Sequence, residues 1–221
     1  KYKMENLLSN FNCISLEEMD SVSLLKRKDT KFIFDSHKLF KILEELKPFY
    51  RVLRINSKDI FSYDNLYLDT KNLIFYMQHH NQMRNRFKVR YRKYIDTNAK
   101  YFEIKTKDNK DQTIKNRFKM NIEDESNSKD KLDLIRKVIN ISPDILYPKI
   151  NIKFSRITLV DNDLRERLTI DTKISVKNKE HNKEFSNLVV SEIKQKKYNP
   201  KSKFIRILHK HSIRKMRFSK Y

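Results

Sequence analysis

The chain has 221 residues, with 50 Lys plus Arg against 28 Asp plus Glu, and the resulting formal charge of +22 points to an anionic partner. It has no glycine and one cysteine, Cys13, which excludes P-loops, GxGxxG turns, kinase phosphate loops, GxSxG elbows and EF-hand loops, and with them internal disulfides and CxxC zinc sites. No apolar run is long enough to span a bilayer, so a single soluble domain over residues 1–221 is expected, in a reducing, cytoplasmic setting.

In chain order, ISLEEMDSVSLLK over 14–26 sets Ile14, Leu16, Met19, Val22 and Leu25 at near-helical spacing and predicts a short amphipathic helix. After TKFIF a second helix is predicted, capped by Ser36 and stopped at Lys47-Pro48, with Leu39, Phe40, Ile42, Leu43 and Leu46 on one side. YDNLYLDT, RFKVRYRKYI, KYFEIKTK, QTIKNRFKM, KINIKFSRITLV, DLRERLTIDTKISV and NLVVSEIKQK alternate with period two and read as strands. Their turns DTNA, DNKD and VDND use Asn and Asp where positive φ would otherwise call for glycine. Further helices are predicted over 129–140 and 200–211, and SNSKDK near Ser126 reads as a mobile loop. The sum is an α+β domain on an antiparallel sheet or β-barrel with peripheral helices.

Charge is placed on the strands with the same period. Lys88, Arg90 and Arg92 fall at i, i+2 and i+4, and the habit recurs at Glu103, Lys105 and Lys107, at Lys115, Arg117 and Lys119, at Arg165 and Arg167, and at Glu192, Lys194 and Lys196. An ordinary solvated sheet face mixes both signs, whereas neighbouring cationic strands about 4.8 Å apart repel one another. Such a face is tolerable if it surrounds a polyanion, and a closed barrel would turn it into a basic tunnel. Glu103 reads as a salt-bridge acceptor for a neighbouring cation, and Glu192 as a candidate ligand for a divalent metal. The His79-His80 and His209/His211 pairs lack a third spaced ligand and read as ordinary histidines, and Cys13 reads as a packing residue.

The strings KRKDTKFIF, YLDTKNLIFYMQHH, RFKVRYRKY, FEIKTK, KNRF, SRITL, RERLTIDT, SEIKQ and RFSKY occur in an order that resembles the vacuolar transporter chaperone (VTC) catalytic domain from about residue 26 to 221. That domain is a polyphosphate polymerase of the triphosphate tunnel metalloenzyme superfamily. The resemblance implies an antiparallel β-tunnel whose basic lumen takes ATP and inorganic polyphosphate, with Mn²⁺ or Mg²⁺ as cofactor, no nucleic acid partner and no membrane span in this chain. Carried over residue by residue, it implies catalytic roles for Arg90, Arg92, Lys105, Arg156 and Arg167, phosphate binding by Lys31, Arg86, Lys115 and Lys220, and metal binding by Glu192. The chain departs from hydrolytic tunnel enzymes in having KRKDTKF where they carry an ExExK strand, and fewer acids favour a long polyanionic product. Two alternatives remain open: a tripolyphosphatase or nucleotide triphosphatase of the same fold, and a non-catalytic module that binds RNA or polyphosphate, since counterion release drives binding to any phosphate chain.

Overall fold

A computed structural model describes residues 2–21, 28–108, 113–120 and 129–221. The elements in chain order are α1 (Tyr2–Ser9), β1 (Cys13–Ile14), α2 (Leu16–Ser21), β2 (Lys28–Asp35), α3 (Leu39–Leu46), β3 (Tyr50–Leu53), β4 (Ile60–Asp69), α4 (Ile74–His80), β5 (Arg86–Tyr94), β6 (Ala99–Lys107), β7 (Thr113–Met120), α5 (Lys129–Ile139), β8 (Tyr147–Asp161), β9 (Glu166–Lys177), β10 (Asn182–Phe185), β11 (Leu188–Gln195) and α6 (Lys203–Lys210). The expected α+β architecture is present, as an 11-stranded, mostly antiparallel sheet with the central order β2-β11-β9-β8-β4-β5-β6-β7. That order is linear, so the expected barrel is corrected to a sheet that is not closed among the described residues. The outer edge of β2 is instead occupied by the tail: Lys215 bridges Phe32, and the Met216 N–H donates to the Lys31 carbonyl at 2.9 Å.

The chain divides into two compact units, the first formed by Lys1–Phe61, Phe154–Ile174 and Glu184–Ser219, the second by Ser62–Lys153, Ser175–Lys183 and Lys220–Tyr221. In the first, β2, β11 and β9 pair antiparallel with Lys31 opposite Glu192 and Glu192 opposite Thr169. The pleat sends Phe32, Phe34, Leu168, Ile170, Val189 and Ile193 to the other side, where they pack with Leu39, Ile42, Leu43 and Leu46 of α3 and Phe204, Ile205 and Leu208 of α6. Burial of each such side chain contributes about 1.5–3 kcal/mol. The cap of the α3 segment is Asp35 rather than Ser36: its Oδ1 accepts the His37 N–H at 2.9 Å, and a 3₁₀ turn over Ser36–Lys38 precedes the α-helix.

In the second unit, β5, β6 and β7 bury Val89, Phe102, Ile104 and Met120 against Ile135 and Ile139 of α5 and Phe75 of α4. Sequence periodicity did not predict α4. Its N-terminus is fixed from the preceding strand, where Asp69 accepts the Phe75 and Tyr76 N–H groups, each at 2.9 Å, and Thr70 Oγ1 accepts the Ile74 N–H at 3.1 Å. Of the helix predicted over 14–26, α2 occupies Leu16–Ser21, and 22–26 lies outside the described residues, as do SNSKDK up to residue 128 and most of DNKD. Positive φ falls on Asn98 in DTNA as expected, but at the VDND turn it falls on the residue after it, Leu164 (φ 58°), and Leu73 (56°), Gln82 (55°) and Lys173 (49°) adopt it too. No helix among the described residues is long and apolar enough to cross a membrane.

Candidate functional site

In the second unit the register stacks cations across three strands. Arg86 stands opposite Lys107, Lys88 opposite Lys105, and Arg90 opposite Glu103, while Lys105 and Glu103 face Lys115 and Arg117 on β7. Strand alternation puts all of them, with Arg92 and Lys119, on one face and leaves the apolar residues on the other. The carboxylate in this field is Glu103, whose side chain is 2% exposed. Its Oε2 accepts from Arg90 Nε at 2.7 Å and lies 2.6 Å from Arg90 Nη2, and the Lys115 ammonium is 2.7 Å from Oε1. Burial alone would raise its pKa, but Arg90, Arg92 and Lys115 outweigh that and hold it at about 2. Lys115 is pushed down to about 8, by burial first and by Arg90 and Arg92 against the pull of Glu103.

Arg86, Arg90 and Arg92 of this face each have a polar neighbour. Arg92 Nε donates to Asn65 Oδ1 at 2.8 Å and its guanidinium lies 5.3 Å from the centre of the Tyr63 ring. Arg90 Nη1 donates to the Tyr67 hydroxyl at 3.0 Å. Burial would raise the Tyr67 pKa, yet Arg90, Arg92 and Lys220 bring it below the ordinary phenol value. The Tyr67 ring stacks on Tyr221 with centroids 4.8 Å apart, and the Tyr221 hydroxyl donates to Asp69. Arg86 lies on the same face, but its Nη1 donates to the Met83 carbonyl at 2.8 Å. His79 of α4 is held at about 3, by burial and then by Lys88, Arg86 and Lys105.

The first unit carries a second polar face. Lys31 and Asp29 of β2, Glu192 and Lys194 of β11, and Arg167, Thr169 and Asp171 of β9 alternate onto it. Arg156 of β8 joins them through a two-pronged contact, Nε and Nη2 donating to the Asp171 carboxylate at 2.6 and 2.8 Å. Lys31 Nζ donates to the Phe218 carbonyl at 2.7 Å. Glu192 pairs through Oε1 with Lys194, which also lies 3.9 Å from Asp29. Two members of the expected row fall away: Lys196 follows the end of β11, and Arg165 precedes β9 and pairs with Asp163. Thus Arg86, Arg90, Arg92, Lys105, Lys115 and Lys220 belong to the second unit, and Lys31, Arg156, Arg167 and Glu192 to the first.

No group of three or more His, Cys, Asp or Glu that could hold a metal occurs among the described residues. Glu192 keeps one oxygen, Oε2, without a hydrogen-bond partner among the described residues, so this residue can offer a hard cation one carboxylate oxygen. That donor set fits Mg²⁺ or Mn²⁺ where phosphate oxygens complete the coordination. The histidine pairs form no metal set, and His211 Nε2 lies 2.8 Å from Glu45. Cys13 is exposed, which corrects its reading as a packing residue. Sequence reasoning missed Tyr67, Asp171 and Tyr221. Asp171 shares the parity of Arg167 and Thr169, which is the signal that could have found it.

A family model described as the VTC domain matches residues 26–221. No curated protein matches the chain. Among solved structures, a Bacillus halodurans protein provisionally named an adenylate cyclase is 13% identical, with 88% of this chain and 95% of that chain covered and a TM-score of 0.58. A Hippeastrum protein provisionally named an adenylyl cyclase, with a dominant triphosphatase activity, is 12% identical, with 87% and 91% covered and a TM-score of 0.50. At these identities the likeness is one of fold.

Proposed function

The chain belongs to the VTC domain family, and on that premise we propose that it is a metal-dependent polyphosphate polymerase that transfers the γ-phosphoryl group of ATP to a growing polyphosphate. The observation that carries the reading is the face of β5, β6 and β7, where rows of Lys and Arg meet the lone carboxylate of those strands, Glu103. Such a field is stable with a polyanion in it, and phosphoryl transfer asks mainly for positioning and for charge stabilisation on the phosphoryl oxygens. In this scheme Arg90 and Arg92 of the second unit orient phosphates, with positive charge from Arg86, Lys105, Lys115 and Lys220, and on the first unit Arg156 and Arg167 do the same beside Lys31. Arg90 uses three of its five N–H groups on Glu103 and Tyr67, and the other two remain for phosphate.

A terminal polyphosphate oxygen is already an anionic nucleophile. It attacks the γ-phosphorus, the bond from that phosphorus to the β,γ-bridging oxygen breaks, and ADP leaves with the electron pair, so no general base is required. Glu192 would hold a divalent cation, which when bound supplies charge neutralisation at the phosphate oxygens.

Incubation with ATP and Mn²⁺ or Mg²⁺ should yield ADP together with acid-stable polymer on a phosphate-stained gel. Glu192→Gln should bind polyphosphate at least as well as the parent while losing about a hundredfold or more in metal-dependent synthesis. Orthophosphate without polymer would replace the polymerase by a triphosphatase, the activity of the Hippeastrum protein that shares the fold.

A further inference from the structure

The second unit also contains a cavity of about 680 Å³ with a mostly apolar wall that includes Tyr76, Tyr147, Pro148 and Tyr221. Its size is that of a small-molecule site. Tyr76 and Tyr147 are 40% and 48% exposed, so their rings are not committed to the core. Lys71, Lys149 and Lys179 stand around the same cavity, and the Lys149 ammonium lies 5.8 Å from the centre of the Tyr147 ring.

Tyr221 links this cavity to the cationic face. Its hydroxyl is tied to Asp69, a fully buried carboxylate that also accepts the Phe75 and Tyr76 backbone N–H groups. The ring is thereby fixed between the cavity and Tyr67, whose hydroxyl accepts from Arg90, while Lys88 Nζ lies 5.9 Å from the Tyr221 ring centre. One aromatic ring therefore stands between the tyrosine-lined cavity and the row of cations. A ligand complementary to both has a planar aromatic group joined to a chain of anions.

We propose that this cavity takes the nucleobase of a nucleoside triphosphate whose phosphates lie on the adjoining cationic face, an inference that rests on the reading of the protein as a user of ATP. The base stacks on Tyr147 and Tyr76, and Lys88 and Arg90, beyond the Tyr221 and Tyr67 rings, meet the attached phosphates. Stacking discriminates poorly among bases, so the cavity favours nucleotides over inorganic phosphate chains more than one base over another.

Titration calorimetry with ATP and with inorganic tripolyphosphate tests this on the parent, Tyr147→Ala and Tyr147→Phe. Tyr147→Ala should weaken ATP roughly tenfold and leave tripolyphosphate unchanged, and Tyr147→Phe, which keeps the ring, should restore ATP binding. Unchanged ATP affinity in Tyr147→Ala, or an equal loss for both ligands, overturns the inference. An ATP-selective loss in a protein that makes no polymer would uphold the nucleobase cavity and remove the polymerase, whereas polymer synthesis without that selective loss would do the reverse.

Discussion

On the polar face of the first unit, Asp29, Asp171 and Glu192 stand among Lys31, Arg156, Arg167 and Lys194, with Asp171 gripping Arg156 and Glu192 pairing with Lys194. On that of the second, Glu103 faces the cationic rows of β5, β6 and β7 and is shared between Arg90 and Lys115. The first face is close to balanced, carboxylate by carboxylate, and it carries Glu192, the proposed metal ligand. The second keeps an excess of positive charge, and a single buried carboxylate ties its centre together. The same fold element, a strand with one polar side, thus serves local pairing in one place and a net field in the other.

The sharpest way to break this contrast is to neutralise one buried carboxylate on each face, Glu103 and Asp171. Glu103→Gln leaves Arg90 and Lys115 without their counter-charge and should destabilise the empty protein by about 3–5 kcal/mol. Asp171→Asn removes a carboxylate from the face that is close to balanced in charge and should cost less in urea unfolding. Equal losses would mean that the excess of cations around Glu103 does not matter. The pH dependence has a definite sign. The folded-state pKa of Glu103, about 2, lies below its ordinary 4.5, so its stabilisation is present above about 4.5 and is lost as pH falls through about 2. Glu103→Gln should lack that part of the acid unfolding.

A smaller effect should appear in ligand binding. Lys115, with its pKa near 8, begins to lose its charge in the empty protein just above neutrality. Polyphosphate affinity should weaken about severalfold between roughly pH 7 and 9.5, and Lys115→Arg should flatten that step. A pH-independent affinity in the parent would remove Lys115 from the anion site. The smallest signal belongs to His79, held neutral well below physiological pH by burial and by Lys88, Arg86 and Lys105. Polyphosphate on this face would offset those cations, so the imidazole titration followed by NMR should move to higher pH. An unmoved titration would place the anion elsewhere.

The two polar faces were legible in the sequence because alternation in strings such as RFKVRYRKY assigns every residue to a side. Which acid meets which base was not. Asp171 pairs with Arg156 on the neighbouring strand, and the Glu103 partners come from the strands on either side, so both depend on register rather than on spacing. Alternation also says nothing about how a sheet ends. The barrel inferred from it became a linear order, with the tail at Lys215 and Met216 occupying the β2 edge. The helix α4 escaped because its cap, Asp69, belongs to the strand before it and reaches Phe75 and Tyr76 across the turn at Leu73.

The absence of glycine has a price in backbone conformation, seen where Leu164 turns β8 into β9 and where Lys173 adopts positive φ inside β9. A side chain in that region costs about 1–2 kcal/mol that glycine would not. Leu164→Gly would recover that cost at a turn while altering no charge, so stability could be raised through the backbone alone, and Lys173→Gly would test the same relief at the loss of one cation of β9.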